Sequence, residues 1–235
     1  MHTITQRLET IQEHMVQACQ RAGRSPHEVQ LMAVSKRQSS SAVSEAIEAG
    51  QLLFGENRVQ EAKEKQPTVS MPAGVQPQWH MIGPLQKNKI KYIGELFHMV
   101  QTVDTLTLAQ AIGARMQAEQ RQMPILLQVN VGGEAQKNGM TAEALEEQVR
   151  HIAQIPGVRI QGLMTVPPYL EDPQQVRPYF RALYTLANHV QQMRLPGVAM
   201  ETLSMGMSHD FHVAIEEGAT MVRVGSALFG ERRVA

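Results

Sequence analysis

The chain is predicted to be an α/β protein, a single (β/α)8 TIM barrel spanning residues 1–235. Three observations predict this: eight short apolar runs, helical patterns alternating with them, and polar or glycine residues gathered where the runs end. The runs are Gln30 to Ser35, Leu52 to Phe54, Gln78 to Ile82, His98 to Val103, Pro124 to Val131, Val158 to Met164, Ala199 to Leu203 and Thr220 to Val224. Strand alternating with helix implies parallel strands, because each crossover returns the chain to the same end of the sheet. An open doubly wound sheet is the competing topology. It usually carries a glycine-rich turn after its first strand, where this chain reads Val34-Ser35-Lys36-Arg37-Gln38.

The helices have readable faces and ends. Ile4, Leu8, Ile11, Met15 and Cys19 recur at helical spacing and form the apolar stripe of a first helix. Ser39, Ser40 and Ser41 offer caps to a helix that carries Val43, Ala46 and Ile47 and stops at Gly50. Asp104 is expected to cap a helix with Leu108, Ala109, Ile112 and Met116 inward, and Thr141 one with Leu145, Val149 and Ile152 inward. The longest helix is expected from Pro173 to Arg194, its stripe being Val176, Phe180, Leu183, Ala187 and Val190. Gln66 to Pro77 lacks periodicity and reads as an exposed loop.

Composition narrows the function. At 235 residues and 43% hydrophobic content the chain can bury a large core. Lys+Arg and Asp+Glu both number 22, so no net field gathers nucleic acid or an anionic membrane. The one cysteine excludes an internal disulfide, and no apolar run has the length of a membrane span or a signal-peptide core. A cytoplasmic protein, a monomer or weak dimer, is the expectation. The 15 methionines lie mostly within apolar stripes and read as core filling.

Barrel chemistry belongs at the carboxyl ends of the strands. There the sequence delivers Lys36, then Glu56 and Asn57, then His80 and Gly83, then Asp104, Asn130, and Met164-Thr165. The seventh run ends in Ser204-Met205-Gly206-Met207-Ser208, and Gly225-Ser226 follows the eighth. A barrel's usual phosphate site is built by the loops after strands seven and eight. Gly206 and Gly225 allow close backbone approach, Ser208 and Ser226 add hydroxyls, and a helix beginning near His209 or Asp210 adds its N–H groups. Either Gly/Ser pair alone is an ordinary turn. Both at those two places favour phosphate.

Lys36 follows the apolar run Leu31-Met32-Ala33-Val34, which fixes its backbone at the barrel mouth. A lysine facing a phosphate cradle points to pyridoxal 5′-phosphate held as a Schiff base. The attacking amine must be neutral, a form that partial burial and nearby cations favour. Arg223 is either such a cation or a donor to the nitrogen of a pyridine ring whose phosphate sits by Ser226. In the second role it would restrain carbanion chemistry, since a permanently charged Arg only donates and cannot keep that nitrogen protonated. His209-Asp210-Phe211-His212 can also be read as metal ligands, but no third His or Cys stands at a recognisable spacing, and Asp210 reads better as a helix cap.

Ordered blocks along nearly the whole chain carry a resemblance: Ala33-Val34-Ser35-Lys36, Phe54-Gly55-Glu56-Asn57 with Gln60-Glu61, Trp79-His80-Met81-Ile82-Gly83 with Leu85-Gln86 and Asn88-Lys89, and Gly162-Leu163-Met164-Thr165. Further blocks are Val103-Asp104, Gln128-Val129-Asn130-Val131, Ser204-Met205-Gly206-Met207-Ser208 with Asp210, and Val222-Arg223-Val224-Gly225-Ser226 with Phe229-Gly230. With these the chain resembles the pyridoxal phosphate homeostasis proteins, which share the fold of the alanine racemase N-terminal barrel. The resemblance implies that Lys36 carries the cofactor, that Ser208, Gly225 and Ser226 hold its phosphate, that Arg223 faces its ring nitrogen, and that Asn57 and His80 line the ring. It also implies vitamin B6 buffering, with cofactor-requiring apo-enzymes as recipients and no established catalysis. The chain departs from the family pattern at Pro84, at His209 and at Gly132-Gly133.

The competing function is an amino-acid racemase-like enzyme or a weak transaminase. Racemases of this fold take a second acid/base, a Tyr, from a further β domain, which is expected to be missing here because five residues follow Gly230. Tyr92, Tyr169, Tyr179 and Tyr184 fall in predicted helices or an outer loop.

Overall fold

The computed structural model describes residues 2–134 and 138–230. The short tail after Gly230 therefore lies outside the described residues. Eight parallel strands close in sequence order: β1 (Gln30–Val34), β2 (Leu53–Glu56), β3 (Gln78–Met81), β4 (Met99–Val103), β5 (Met123–Gln128), β6 (Val158–Met164), β7 (Val198–Ser204) and β8 (Met221–Val224). Closure is made by β1 against β8, with Met32 opposite Arg223 and Ala33 opposite Val224.

The helices are α1 (Ile4–Arg21), α2 (Ser40–Glu48), α3 (Val59–Lys65), α4 (Ile93–Leu96), α5 (Leu106–Ala118), α6 (Ala142–Ile152), α7 (Arg177–Gln192), α8 (Phe211–Glu216) and α9 (Ser226–Phe229). The expected stripes of α1, α2, α5, α6 and α7 are the buried ones. Thr141 caps α6 as expected, its side chain accepting from the Ala144 N–H. Asp104 does not cap α5. Thr105 does, its hydroxyl accepting from the Leu108 N–H at 3.2 Å, while burial pushes the Asp104 carboxyl pKa up. The predicted helix from Pro173 begins as a 3-10 turn, Pro173–Val176, before α7.

Two strand ends differ from expectation for identifiable reasons. β2 continues to Glu56, a polar residue that a burial pattern reads as loop, because Lys65 supplies it with a buried ion-pair partner. β5 stops at Gln128. Val129 makes only an isolated bridge to Met140, and the chain then turns at Val131 and Gly132.

Alternation along the strands divides the interior into two parts. Outward residues such as Phe54, Trp79, Ile125, Val222 and Val224 pack under the helices in the main core, where the Phe54 and Trp79 rings stack at 5.0 Å. Met99, Leu126 and Met164 form a separate cluster inside the barrel, and Met32 and Met221, also buried, lie outside the main core. Above this apolar plug comes a polar layer. Gly162 lets β6 and β7 close, since its φ is +153° and a Cβ there would stand 1.8 Å from the Thr202 carbonyl oxygen.

Candidate cofactor site

The polar layer is a chain of hydrogen bonds whose direction is set by its last member. Arg223, buried in β8, donates from Nη1 to Ser204 Oγ at 2.7 Å and from Nη2 to the Thr165 carbonyl at 2.7 Å. A guanidinium only donates, so Ser204 accepts and spends its one proton on Gln101 Oε1 at 2.7 Å. Gln101 Nε2 then faces His80 Nδ1 at 3.0 Å. His80 therefore accepts at Nδ1 and carries its proton on Nε2. Burial, with a contribution from His98, lowers the His80 pKa to about 3, so the ring is neutral at physiological pH. Burial also lowers the Arg223 pKa to about 10, against the opposing pull of Asp210, and leaves it a cation.

The loops after β7 and β8 are tied to each other. Ser208 Oγ accepts from the Gly225 N–H at 3.2 Å and from the Ala227 N–H at 3.4 Å, so two backbone donors converge on one oxygen. Gly206, at φ +88°, brings its carbonyl to the Arg223 N–H at 3.0 Å, and a Cβ there would stand 2.5 Å from that of Ala214. Asp210 is the residue before α8, but its carboxylate reaches back to the Met207 N–H at 2.6 Å rather than capping the helix. Burial raises the Asp210 pKa, with the Met207 and Arg223 contacts opposing it. His209 Nε2 pairs with the Glu171 carbonyl oxygen at 3.0 Å, and its ring lies 5.2 Å from that of Tyr169. Among the described residues no three His, Cys, Asp or Glu side chains group to hold a metal ion.

Lys36 lies two residues past β1, half-buried, in the turn Lys36-Arg37. Its strand runs beside β8, and a Cβ at Gly225 would lie 3.5 Å from the Val34 carbonyl oxygen, so the β8 loop abuts the strand that presents Lys36. Asn57, half-buried after β2, is braced from β3: a Cβ at Gly83 would stand 2.2 Å from the Asn57 carbonyl oxygen. Ser226 is exposed as the first residue of α9, while Ser204 lies below the rim, fully buried. Ser204, Gly206, Met207, Ser208, Arg223, Gly225 and Ser226 thus share one quadrant, and His80 joins it through Gln101. Sequence reasoning missed Gln101, although an amide inside the run Met99–Val103 was a visible irregularity. It also missed Lys65 and Glu61, which look like ordinary helix-surface charges at i, i+4 spacing.

A closed barrel with a lysine after its first strand, a buried arginine in its eighth and serine and glycine loops after the last two defines a class. The alanine racemase N-terminal domain family matches residues 7–233. The chain is 43% identical over 228 residues to the pyridoxal phosphate homeostasis protein of Aquifex aeolicus, covering 97% of this chain and 98% of that one. It is 37% identical over 239 residues to the protein of the same name from Escherichia coli strain K12, covering 99% and 98%. Among solved structures it is similar to PipY of Synechococcus elongatus with pyridoxal phosphate bound, with a TM-score of 0.83 and 35% identity over 97% of this chain and 100% of that one. The chain belongs to the pyridoxal phosphate homeostasis protein family.

Proposed function

We propose that this chain works as one barrel unit, residues 1–235, which binds pyridoxal 5′-phosphate covalently through Lys36 and buffers it in the cytoplasm for delivery to apo-enzymes. The observation that carries the reading is the convergence of the Gly225 and Ala227 N–H donors on Ser208 Oγ, beside the strand that presents Lys36. The residues present fit the group. Gly206 and Gly225 let the loops pack closely against α8 and β1, and the loop donors, two N–H groups and a hydroxyl, suit a phosphate.

When bound, pyridoxal 5′-phosphate supplies an aldehyde open to attack by a neutral primary amine. Lys36 supplies that amine. Ser208, Gly225 and Ser226 hold the phosphate, Asn57 and His80 line the ring, and Ser204, Gly206 and Met207 shape the loop beneath it. Arg223, a donor at every working pH, suits an unprotonated ring nitrogen. That choice weakens electron withdrawal and supports storage over turnover. Neutral His80, proton on Nε2, adds no positive charge beside the ring.

Borohydride reduction of cofactor-treated protein followed by peptide mass mapping tests the attachment. Lys36 is expected to carry the modification, and an unmodified Lys36 refutes it. Carrier and enzyme separate on α-proton exchange of L-amino acids into deuterated water. Exchange no faster than with free cofactor is expected, and rapid exchange overturns the carrier role. Size-exclusion chromatography is expected to give a monomer or weak dimer.

A further inference from the structure

The proposed function makes no use of the most costly group near Lys36. Glu56 is fully buried, its Oε2 has no hydrogen-bond partner among the described residues, and burial raises its pKa although a lysine stands beside it. A buried ion pair of this kind is a weak source of stability, and its better-attested use is to fix one geometry among several.

The geometry fixed here is that of the Lys36 turn. Lys65, at the end of α3 and itself buried, directs Nζ to three oxygens: Ser35 O at 2.7 Å, Glu56 Oε1 at 2.8 Å and Glu61 Oε1 at 2.8 Å. An ammonium has three protons, so this set saturates it. Ser35 is held at every polar atom. Its N–H donates to the Gly55 carbonyl at 3.1 Å, its hydroxyl to Glu56 Oε1 at 2.7 Å, and its carbonyl accepts from Lys65 and from the Gln38 N–H. On the other side of Lys36, the Arg37 N–H donates to the same Glu61 oxygen that Lys65 contacts. Arg37 sits at φ +61°, a left-handed conformation uncommon for a residue with a side chain. The peptide groups before and after Lys36 are therefore anchored to one buried ammonium and its two carboxylates.

We propose that Lys65, with Glu56 and Glu61, is a positioning device: it holds the peptide groups on either side of Lys36, with Arg37 in its left-handed conformation, from behind the barrel wall and so aims the Lys36 amine into the mouth. The inference rests on the reading of Lys36 as the attachment residue, but its test does not need the cofactor. In cofactor-free full-length protein, two quantities report on the turn: hydrogen exchange of the Arg37 amide, and the rate of Lys36 labelling by formaldehyde with cyanoborohydride relative to the exposed lysines, resolved by peptide mass mapping. Lys65→Met keeps the stem and removes all three bonds. Arg37 exchange is expected to accelerate by about tenfold or more, and the Lys36 labelling rate to move toward that of the exposed lysines. With cofactor added, the rate of borohydride-trappable capture at Lys36 is expected to fall by about tenfold or more, since small misplacements of a reacting group carry penalties of that order. If Lys65→Met does not fold, Glu61→Ala removes the Arg37 acceptor from a partly exposed position and serves the same readouts. A folded variant with wild-type Arg37 exchange and wild-type Lys36 labelling overturns the inference. Failure of the wild type to label Lys36 with cofactor would instead overturn the attachment itself.

Discussion

Gln101→Met probes the hydrogen-bond chain at its middle link. Methionine matches glutamine in length and is accepted in cores, so packing changes little. Two buried partners lose what they have. The Ser204 hydroxyl proton loses its acceptor at 2.7 Å, and His80 Nδ1 loses its donor at 3.0 Å. Leaving a buried polar group unsatisfied costs about 1–3 kcal/mol, so the pair amounts to about 2–6 kcal/mol. Burying a more apolar side chain returns about 1–2 kcal/mol, and the expected net loss is about 1–4 kcal/mol. For a chain of this size that lowers the melting temperature by about 2–16 °C. The assay is urea unfolding followed by circular dichroism, with Ser204→Ala and the double variant completing a cycle. Because the two residues share one bond, the double variant is expected to lose less than the sum of the singles by about 1 kcal/mol. A Gln101→Met protein within about 0.5 kcal/mol of the parent, or strictly additive losses, refutes the directed chain from Arg223 to His80.

The His80 pKa near 3 lies below that of an unfolded histidine, so the unfolded chain takes up a proton that the folded one refuses. Stability should therefore be unaffected by this group above pH of about 6.5 and fall by about 1.4 kcal/mol per unit as pH drops toward 3, a slope that His80→Gln should remove from pH-dependent unfolding curves. Gly162→Ala puts a methyl against the Thr202 carbonyl at an unfavourable φ, and a loss above about 3 kcal/mol, or no recoverable protein, is expected by thermal melting. Ser208→Ala, at a half-buried loop position, should cost less than about 1 kcal/mol of stability yet weaken cofactor binding by about tenfold or more in an absorbance titration, as loss of a hydrogen bond to a charged group does.

Architecture was legible because alternation and helical stripes are local signals: all eight runs became strands, and the stripe ending in Val190 is the buried face of α7. The rim residues were legible for the same reason, each standing at the end of an apolar run or within a few positions beyond it. What stayed hidden depends on pairing across the chain. Gln101 meets Ser204 at a separation of 103 residues, and Ser35 meets Lys65 at 30. A single sequence carries no mark that Lys65 is buried, since its partners Glu56 and Ser35 arrive only when β1, β2 and α3 pack. Capping at Thr105 rather than Asp104 turned on one residue of register, which the Asp-Thr pair leaves open.

Closure of the sheet by β1 against β8 has a consequence for when the site can exist during synthesis. Lys36 is carried by the first strand to leave the ribosome, and Arg223 and Gly225 by the eighth. A nascent chain with six strands outside the exit tunnel has its lysine but neither the anion cradle nor the buried guanidinium. Long-range strand pairing is also slow to form. On the proposed function, cofactor cannot template the early steps of folding through this site. Its capture belongs to the completed ring, and any thermodynamic gain from it appears as resistance of the finished barrel to reopening at the seam between its first and last strands.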